Sequence, residues 1–190
     1  MKAAETHEKT SRAGELWPLS VAAYRALGEA GLIPKETELL YGQVYHKMSK
    51  SPYHSALVRR FLKLLRKASL PGRFVTSEQP ITCEHSEPEP DIAVVRGTEE
   101  DFWDEHPRTA ELVVEICVTS HDFDREKLEA YATAGVKECW LVLGPERQIE
   151  VFRGPQKGRF TQTTIVGPGG KVQCTTVPEF ELDLDALFGR

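Results

Sequence analysis

Apolar positions in the first third of the chain recur at helical spacing, interrupted by one short alternating stretch. From Ser20, residues Val21, Tyr24, Leu27 and Leu32 fall near one helical face, and Gly31 followed by Pro34 supplies the stop, so a helix is predicted from 20 to about 31. Residues 37–45 (Thr-Glu-Leu-Leu-Tyr-Gly-Gln-Val-Tyr) predict two short strands turning at Gly42. Pro52 opens the clearest helix: Leu57, Val58, Phe61, Leu62, Leu64 and Leu65 form a wide apolar face, and Pro71-Gly72 ends the segment. The opposite face carries Arg59, Arg60, Lys63, Arg66 and Lys67.

From Arg73 the pattern changes to short runs rich in Val, Ile and Thr, at 74–81, 91–95, 112–118 and 139–143, which predict the strands of a sheet. Between the last two lies a predicted helix, opened by Asp124 as N-cap, with Leu128, Tyr131 and Ala132 on one face and Gly135 as its stop. Strand, helix, strand in that order implies a parallel crossover. Beyond Gly144-Pro145, residues 148–153 and 159–166 predict a hairpin around 154–158. The whole reads as an α/β chain: a mixed central sheet flanked by helices, with an N-terminal helix and a C-terminal β-hairpin. Residues 1–15 show no apolar periodicity and predict a mobile arm ahead of a domain at 16–190.

Composition narrows the class. With 190 residues, 40% hydrophobic and 28% charged, the chain has the balance of a soluble globular domain and enough length for a substantial core. No apolar run approaches the roughly 18 residues of a membrane span, and the polar first residues lack the apolar stretch of a secretory signal, so a cytoplasmic protein without membrane partners is expected. The four cysteines are too dispersed for a zinc or redox signature, and Cys117 and Cys139 sit in apolar runs where thiols act as small buried hydrophobes. Seven of the 24 Lys and Arg lie between Lys50 and Arg73 without one Asp or Glu, leaving 17 against 29 acidic residues elsewhere. A basic patch on an acidic body excludes a general nucleic-acid coat and suits local gripping of phosphates. A solvated helix face is the competing account of the same stripe.

One strand carries an anomaly. Residues 112–118 (Leu-Val-Val-Glu-Ile-Cys-Val) have the apolar character of a strand covered on both faces, yet Glu115 interrupts them. A carboxylate there costs several kcal/mol of desolvation unless a cation, a metal or strong donors compensate. A structural salt bridge is the plain alternative. Asp91, after Pro90, opens the apolar run 92–95, so the two carboxylates could converge across adjacent strands into an oxygen site suited to magnesium. Lys127, in the first turn of the helix expected from Asp124, stands where the helix dipole disfavours a cation; its ammonium could point back toward the carboxylates, where it would orient an attacking water or steady a pentacovalent transition state.

These residues carry a resemblance. Glu87-Pro88-Glu89-Pro90-Asp91-Ile92-Ala93-Val94-Val95, then Leu112-Val113-Val114-Glu115-Ile116, then Asp124-Arg125-Glu126-Lys127 and Ala134-Gly135-Val136-Lys137-Glu138-Cys139-Trp140 resemble the Uma-two family of bacterial restriction-endonuclease-like proteins, within the PD-(D/E)XK nuclease superfamily. The resemblance runs over about 16–188 and implies a restriction-endonuclease-like core and magnesium-dependent cleavage of DNA, with manganese as substitute. It implies Asp91 and Glu115 as metal ligands with the main-chain carbonyl of Ile116, Lys127 as a catalytic lysine migrated from the strand, where Cys117 stands, to the following helix, and a homodimer. Glu38, His54 and Glu78 are lesser candidates: Glu38 as an acidic position of the family pattern or a surface residue flanking a turn, His54 as a phosphate contact, proton carrier or surface histidine, and Glu78 as a carboxylate facing Asp91 or a solvated one. Arg59, Arg60, Lys63, Arg66 and Lys67 are the candidate nucleic-acid contacts. The rival reading is an inactive nuclease-fold module that binds DNA or a protein partner.

Overall fold

The computed structural model describes residues 16–119 and 121–189; the arm expected at 1–15 lies outside them. Helix α1 (Val21–Glu29) starts where Ser20 caps it, its hydroxyl accepting from Ala23 N at 3.1 Å. Strands β1 (Thr37–Leu40) and β2 (Gln43–His46) form the expected antiparallel pair. Tyr41 and Gly42 both have positive φ, 52° and 75°, as a tight hairpin turn of the twisted kind requires. A Cβ on Gly42 would meet Pro18 Cβ at 2.4 Å, so glycine also lets the incoming chain cross the turn. Helix α2 (Pro52–Leu65), capped by Ser51, buries Leu57, Val58, Phe61 and Leu65.

The central sheet has six strands in the order β3 (Arg73–Thr76), β4 (Ile92–Arg96), β5 (Leu112–Cys117), β6 (Glu138–Leu143), β7 (Gln148–Gln156), β8 (Arg159–Val166). Helix α3 (His121–Thr133) connects β5 to β6, which pair in parallel as the crossover demands; every other neighbouring pair is antiparallel. The sheet is mixed and flanked by helices. The chain ends in a small pair, β9 (Lys171–Gln173) with β10 (Glu181–Asp183), and the short helix α4 (Leu184–Phe188).

Two apolar layers sandwich the sheet. Ile92, Val94, Val114, Ile116, Trp140 and Val142 face α2, α4 and the C-terminal segment, where Trp140 stacks on Phe180 with ring centroids 5.9 Å apart. Ala93, Val95, Val113, Cys117, Cys139 and Leu141 face Ala130 and Tyr131 of α3. All four cysteines are free and buried, Cys117 and Cys139 as sequence reasoning expects.

Three boundaries differ from expectation. Helix α3 begins at His121, three residues before Asp124, so Asp124 is a buried residue inside the helix and not its N-cap, and Lys127 stands in the second turn. The strand expected over 74–81 ends at Thr76: Glu78 adopts a φ of 55° and breaks the ladder, although Ile81 is still buried. The last hairpin zips past Gly154, with Gln156 opposite Arg159, because positive φ at Lys157 and Gly158 makes the turn there.

Candidate active site

Strand register builds the centre of the site. Ile92 pairs with Val114 in the antiparallel β4–β5 ladder, which sets Asp91, the residue before β4, level with Glu115, one residue further along β5. Both are buried, and Asp91 N lies 3.4 Å from Glu115 Oε2. The Asp91 carboxylate accepts from Ile116 N at 2.8 Å, lies 3.0 Å from His54 Nε2 and 3.2 Å from Lys50 Nζ. Ile116 thus meets Asp91 through its amide. Burial works to raise the Asp91 pKa, but His54, the Ile116 amide and Lys50 outweigh it and hold the carboxyl below its ordinary range.

Glu115 has the opposite balance. Tyr131 OH donates to its Oε1 at 2.6 Å, and Lys127 Nζ lies 3.5 Å from the same oxygen. Burial nevertheless pushes its pKa up to about 8, with Asp91 and Asp124 adding like-charge repulsion against the opposing pull of Lys127 and Tyr131.

Helix α3 brings Lys127 into this group. Its ammonium is buried, 3.2 Å from Glu38 Oε2 and 3.9 Å from Asp124 Oδ1, and sits 5.3 Å from the centroid of the Phe123 ring. Burial disfavours the charged amine, but Glu115, Glu38 and Asp124 together raise its pKa, so it stays an ammonium. The earlier helix start explains the geometry: in the second turn Lys127 shares a face with Asp124 three residues before and Tyr131 four after, and Lys127 and Tyr131 both reach Glu115.

The other candidates sort as follows. Glu38 is a buried partner of Lys127 and not a surface residue, because β1 lies with all four residues buried. His54 is inside on Asp91, also not a surface histidine, and its Nδ1 is buried without a partner among the described residues. Glu78 is half exposed and does not face Asp91 directly; Lys50 stands between, 2.9 Å from Glu78. Arg59, Lys63, Arg66 and Lys67 are exposed, but Arg60 is turned back, donating to the carbonyls of Leu187 and Gly189. Sequence reasoning missed Lys50, Asp124 and Tyr131 as members of the site; the i, i+3, i+7 series Asp124, Lys127, Tyr131 is the signal that could have found the last two.

Glu38, Lys50, His54, Asp91, Glu115 and Lys127 line a common cleft of about 100 Å³. Among the described residues no group of three or more His, Cys, Asp or Glu converges as a ready metal cage. Chemically the cleft offers two level carboxylates, a buried ammonium and an acid surplus: three carboxylates surround Lys127.

The chain matches none of the curated proteins. A solved structure, described as "a putative nuclease belonging to DUF820 from Anabaena variabilis ATCC 29413", is similar with a TM-score of 0.75 and 19% identity, over 90% of this chain and 98% of that one; at that identity the likeness shows the fold. The model of the Uma2 family, described as "Putative restriction endonuclease", matches residues 32–185, a stretch that holds β1 through β10 with the whole cleft, and the chain belongs to that family.

Proposed function

We propose that the protein is a magnesium-dependent endodeoxyribonuclease of the PD-(D/E)XK type, hydrolysing phosphodiester bonds in DNA, with manganese as a working substitute. The observation that supports this most is the level pair Asp91 and Glu115 with the buried Lys127 ammonium 3.5 Å from Glu115. The family description and the nuclease named in the similar structure point the same way.

The donor set fits a hard divalent cation: its ligands are oxygens, and the acid surplus around Lys127 is charge such a cation would offset. Asp91, Glu115 and the Ile116 carbonyl would hold it, a partial shell of the kind magnesium completes with water and substrate phosphate. When bound, the metal supplies neutralisation of charge developing on the phosphodiester. The chain's own groups do the rest. Lys127 orients the attacking water or steadies the pentacovalent state, while Glu38 and Asp124 hold the ammonium in place. Tyr131 fixes the Glu115 carboxyl, and His54 and Lys50 position Asp91. A homodimer would present two such clefts to the two strands of a duplex.

The test is manganese-supported cleavage of plasmid and single-stranded DNA by wild type, Asp91→Ala, Glu115→Ala, Lys127→Met and Lys127→Arg, with calorimetric titration of the metal. Both carboxylate variants should lose metal binding and cleavage. Lys127→Met should keep the metal and lose roughly 10²–10³ in turnover, the typical effect of removing one positioned electrostatic donor. Because Lys127 is buried, the arginine variant separates loss of function from loss of fold. One observation favours the second reading, an inactive binding module: both Asp91 oxygens are already engaged, by Lys50, His54 and the Ile116 amide. Wild type that binds DNA and cuts none with any divalent metal would establish that reading.

A further inference from the structure

A second groove, of about 900 Å³, opens beside the cleft where α2 meets the β6–β7 turn and α4. Tyr53, the neighbour of His54, lines it, and its hydroxyl donates to Gly144 O at 3.0 Å. A Cβ on Gly144 would lie 3.3 Å from Val118, which lines the cleft, so Tyr53, Gly144 and Val118 link the wall of the groove to that of the cleft.

The charged groups lining this groove are all cations: Arg59, Arg60, Lys63 and Arg147. Arg60 is occupied by α4 carbonyls, but Arg59, Lys63 and Arg147 are exposed and pair with no carboxylate among the described residues. Arg66 and Lys67, which follow the last residue of the same helix, lie outside the groove. Arg147 adds an independent observation. It holds a φ of 54°, a conformation L side chains rarely adopt and glycine adopts freely, so the turn itself would be better served by glycine. An arginine at a position the turn would give to glycine, where it completes a set of unpaired cations, suits a ligand contact.

We propose that this groove holds the nucleic-acid backbone on one side of the scissile phosphate, with Arg59, Lys63 and Arg147 as phosphate contacts. The proposal rests on the nuclease reading and adds to it the path of the substrate: from the cleft across Tyr53 and along α2, stopping short of Arg66 and Lys67 beyond the end of the helix. At about 1.5 Å rise per residue, Arg59 lies ~7.5 Å and Lys63 ~13.5 Å along the helix from His54. That span corresponds to about two to four nucleotides at ~3.4 Å per step.

The experiment measures binding of a short fluorescent DNA strand, single and as a duplex, to the full chain without divalent metal, as a function of salt, and cleavage of the same strand with manganese. Wild type is compared with Arg147→Gly, with Arg59→Gln/Lys63→Gln, and with Arg66→Gln/Lys67→Gln. Arg147→Gly relieves the turn, so its melting temperature should hold or rise while the slope of log affinity against log salt shrinks by about 0.7–0.9, one phosphate contact. The groove double variant should lose about twice that and the Arg66/Lys67 double variant little. Equal losses in all three, or wild-type affinity in Arg147→Gly and the groove double variant, would overturn the groove; so would a wild type that binds neither strand. Groove-dependent binding without cleavage sustains the groove and sinks the nuclease reading, whereas cleavage with groove-independent binding does the reverse.

Discussion

Glu138 and Glu115 are both buried glutamates on central strands, and they end with opposite chemistry. Glu138 is fully enclosed, yet it accepts from Arg153 at 2.8 Å, Trp140 Nε1 at 2.7 Å, and Thr175 through both its amide at 2.9 Å and its hydroxyl at 2.6 Å. Burial works to raise its pKa, but these donors outweigh burial and hold it below the ordinary range. Glu115 has one hydroxyl donor and a shared ammonium among other acids, and rises. The first is a structural carboxylate and the second a candidate reactive one; sequence context hardly separates them, because apart from Trp140 two residues on, the donors to Glu138 come from residues 153 and 175, elsewhere in the chain. Glu138→Gln should destabilise the fold by about 3 kcal/mol, the low end for breaking a buried pair, since Arg153 keeps some solvent contact. A folded-state pKa below the unfolded value means that this stabilisation is complete above the ordinary glutamate pKa, about 4.3, and is lost as pH falls through the lowered folded value. Urea unfolding of wild type and Glu138→Gln should therefore show a gap at neutral pH that closes in acid below about pH 4. A gap that persists there would mean the carboxylate charge is not what stabilises.

The β1–β2 hairpin is a clamp on α3. Tyr41 OH donates to Glu126 O and accepts from Ala130 N at 3.1 Å, which fixes the hairpin so that Glu38 reaches Lys127 one helical turn away. Tyr41→Phe should cost about 1 kcal/mol, the net worth of such hydrogen bonds, and speed amide exchange across β1 and β2 while β5 and β6 stay protected. Unchanged exchange in the hairpin would show that packing alone holds it. Elements with strong local signals were legible: Ser20 and Pro52 as helix starts, Gly42 as a turn, the apolar face of α2, and the strand, helix, strand order that gives the parallel β5–β6 pair. The start of α3 was not, because Asp122 and Asp124 both suit a helix N-terminus and it takes the tertiary contact with Cys117, beside the i, i+3 pair with Lys127, to draw Asp124 inside. The β9–β10 pair and α4, three to five residues each, are too short for periodicity to register. In the candidate site, Glu115 stood out because it violates a local rule, Asp91 because it opens an apolar run, and Lys127 from a first-turn position that the structure moves to the second; Lys50 and Tyr131 gave no such signal, and their contacts exist only once the segment before α2, β4, β5 and α3 meet.

For the molecule as a whole, the cleft is a place where folding and proposed function pull apart. Glu38, Glu115 and Asp124 surround a single buried ammonium, so without a further cation the folded state carries like-charge repulsion and desolvation that the unfolded chain escapes. A site built for stability alone would replace one of the acids, the trade expected where a strained constellation serves a ligand. Glu115→Gln makes that replacement with the volume kept and an oxygen still facing the Tyr131 hydroxyl. Without metal, this variant should melt no lower than wild type. On the proposed reading, manganese at about 100 times its Kd should stabilise wild type by about 2.7 kcal/mol, the linkage expected of an ion that binds the folded chain alone. For a chain of this length that corresponds to roughly 5–11 °C in melting temperature, and Glu115→Gln should gain almost none of it. Thermal unfolding of both proteins with manganese and with chelator makes the comparison. Equal metal-dependent shifts would remove Glu115 from the ligand set, and a variant several kcal/mol less stable than wild type in chelator would mean that its carboxylate stabilises the fold and carries no surplus for a metal to offset.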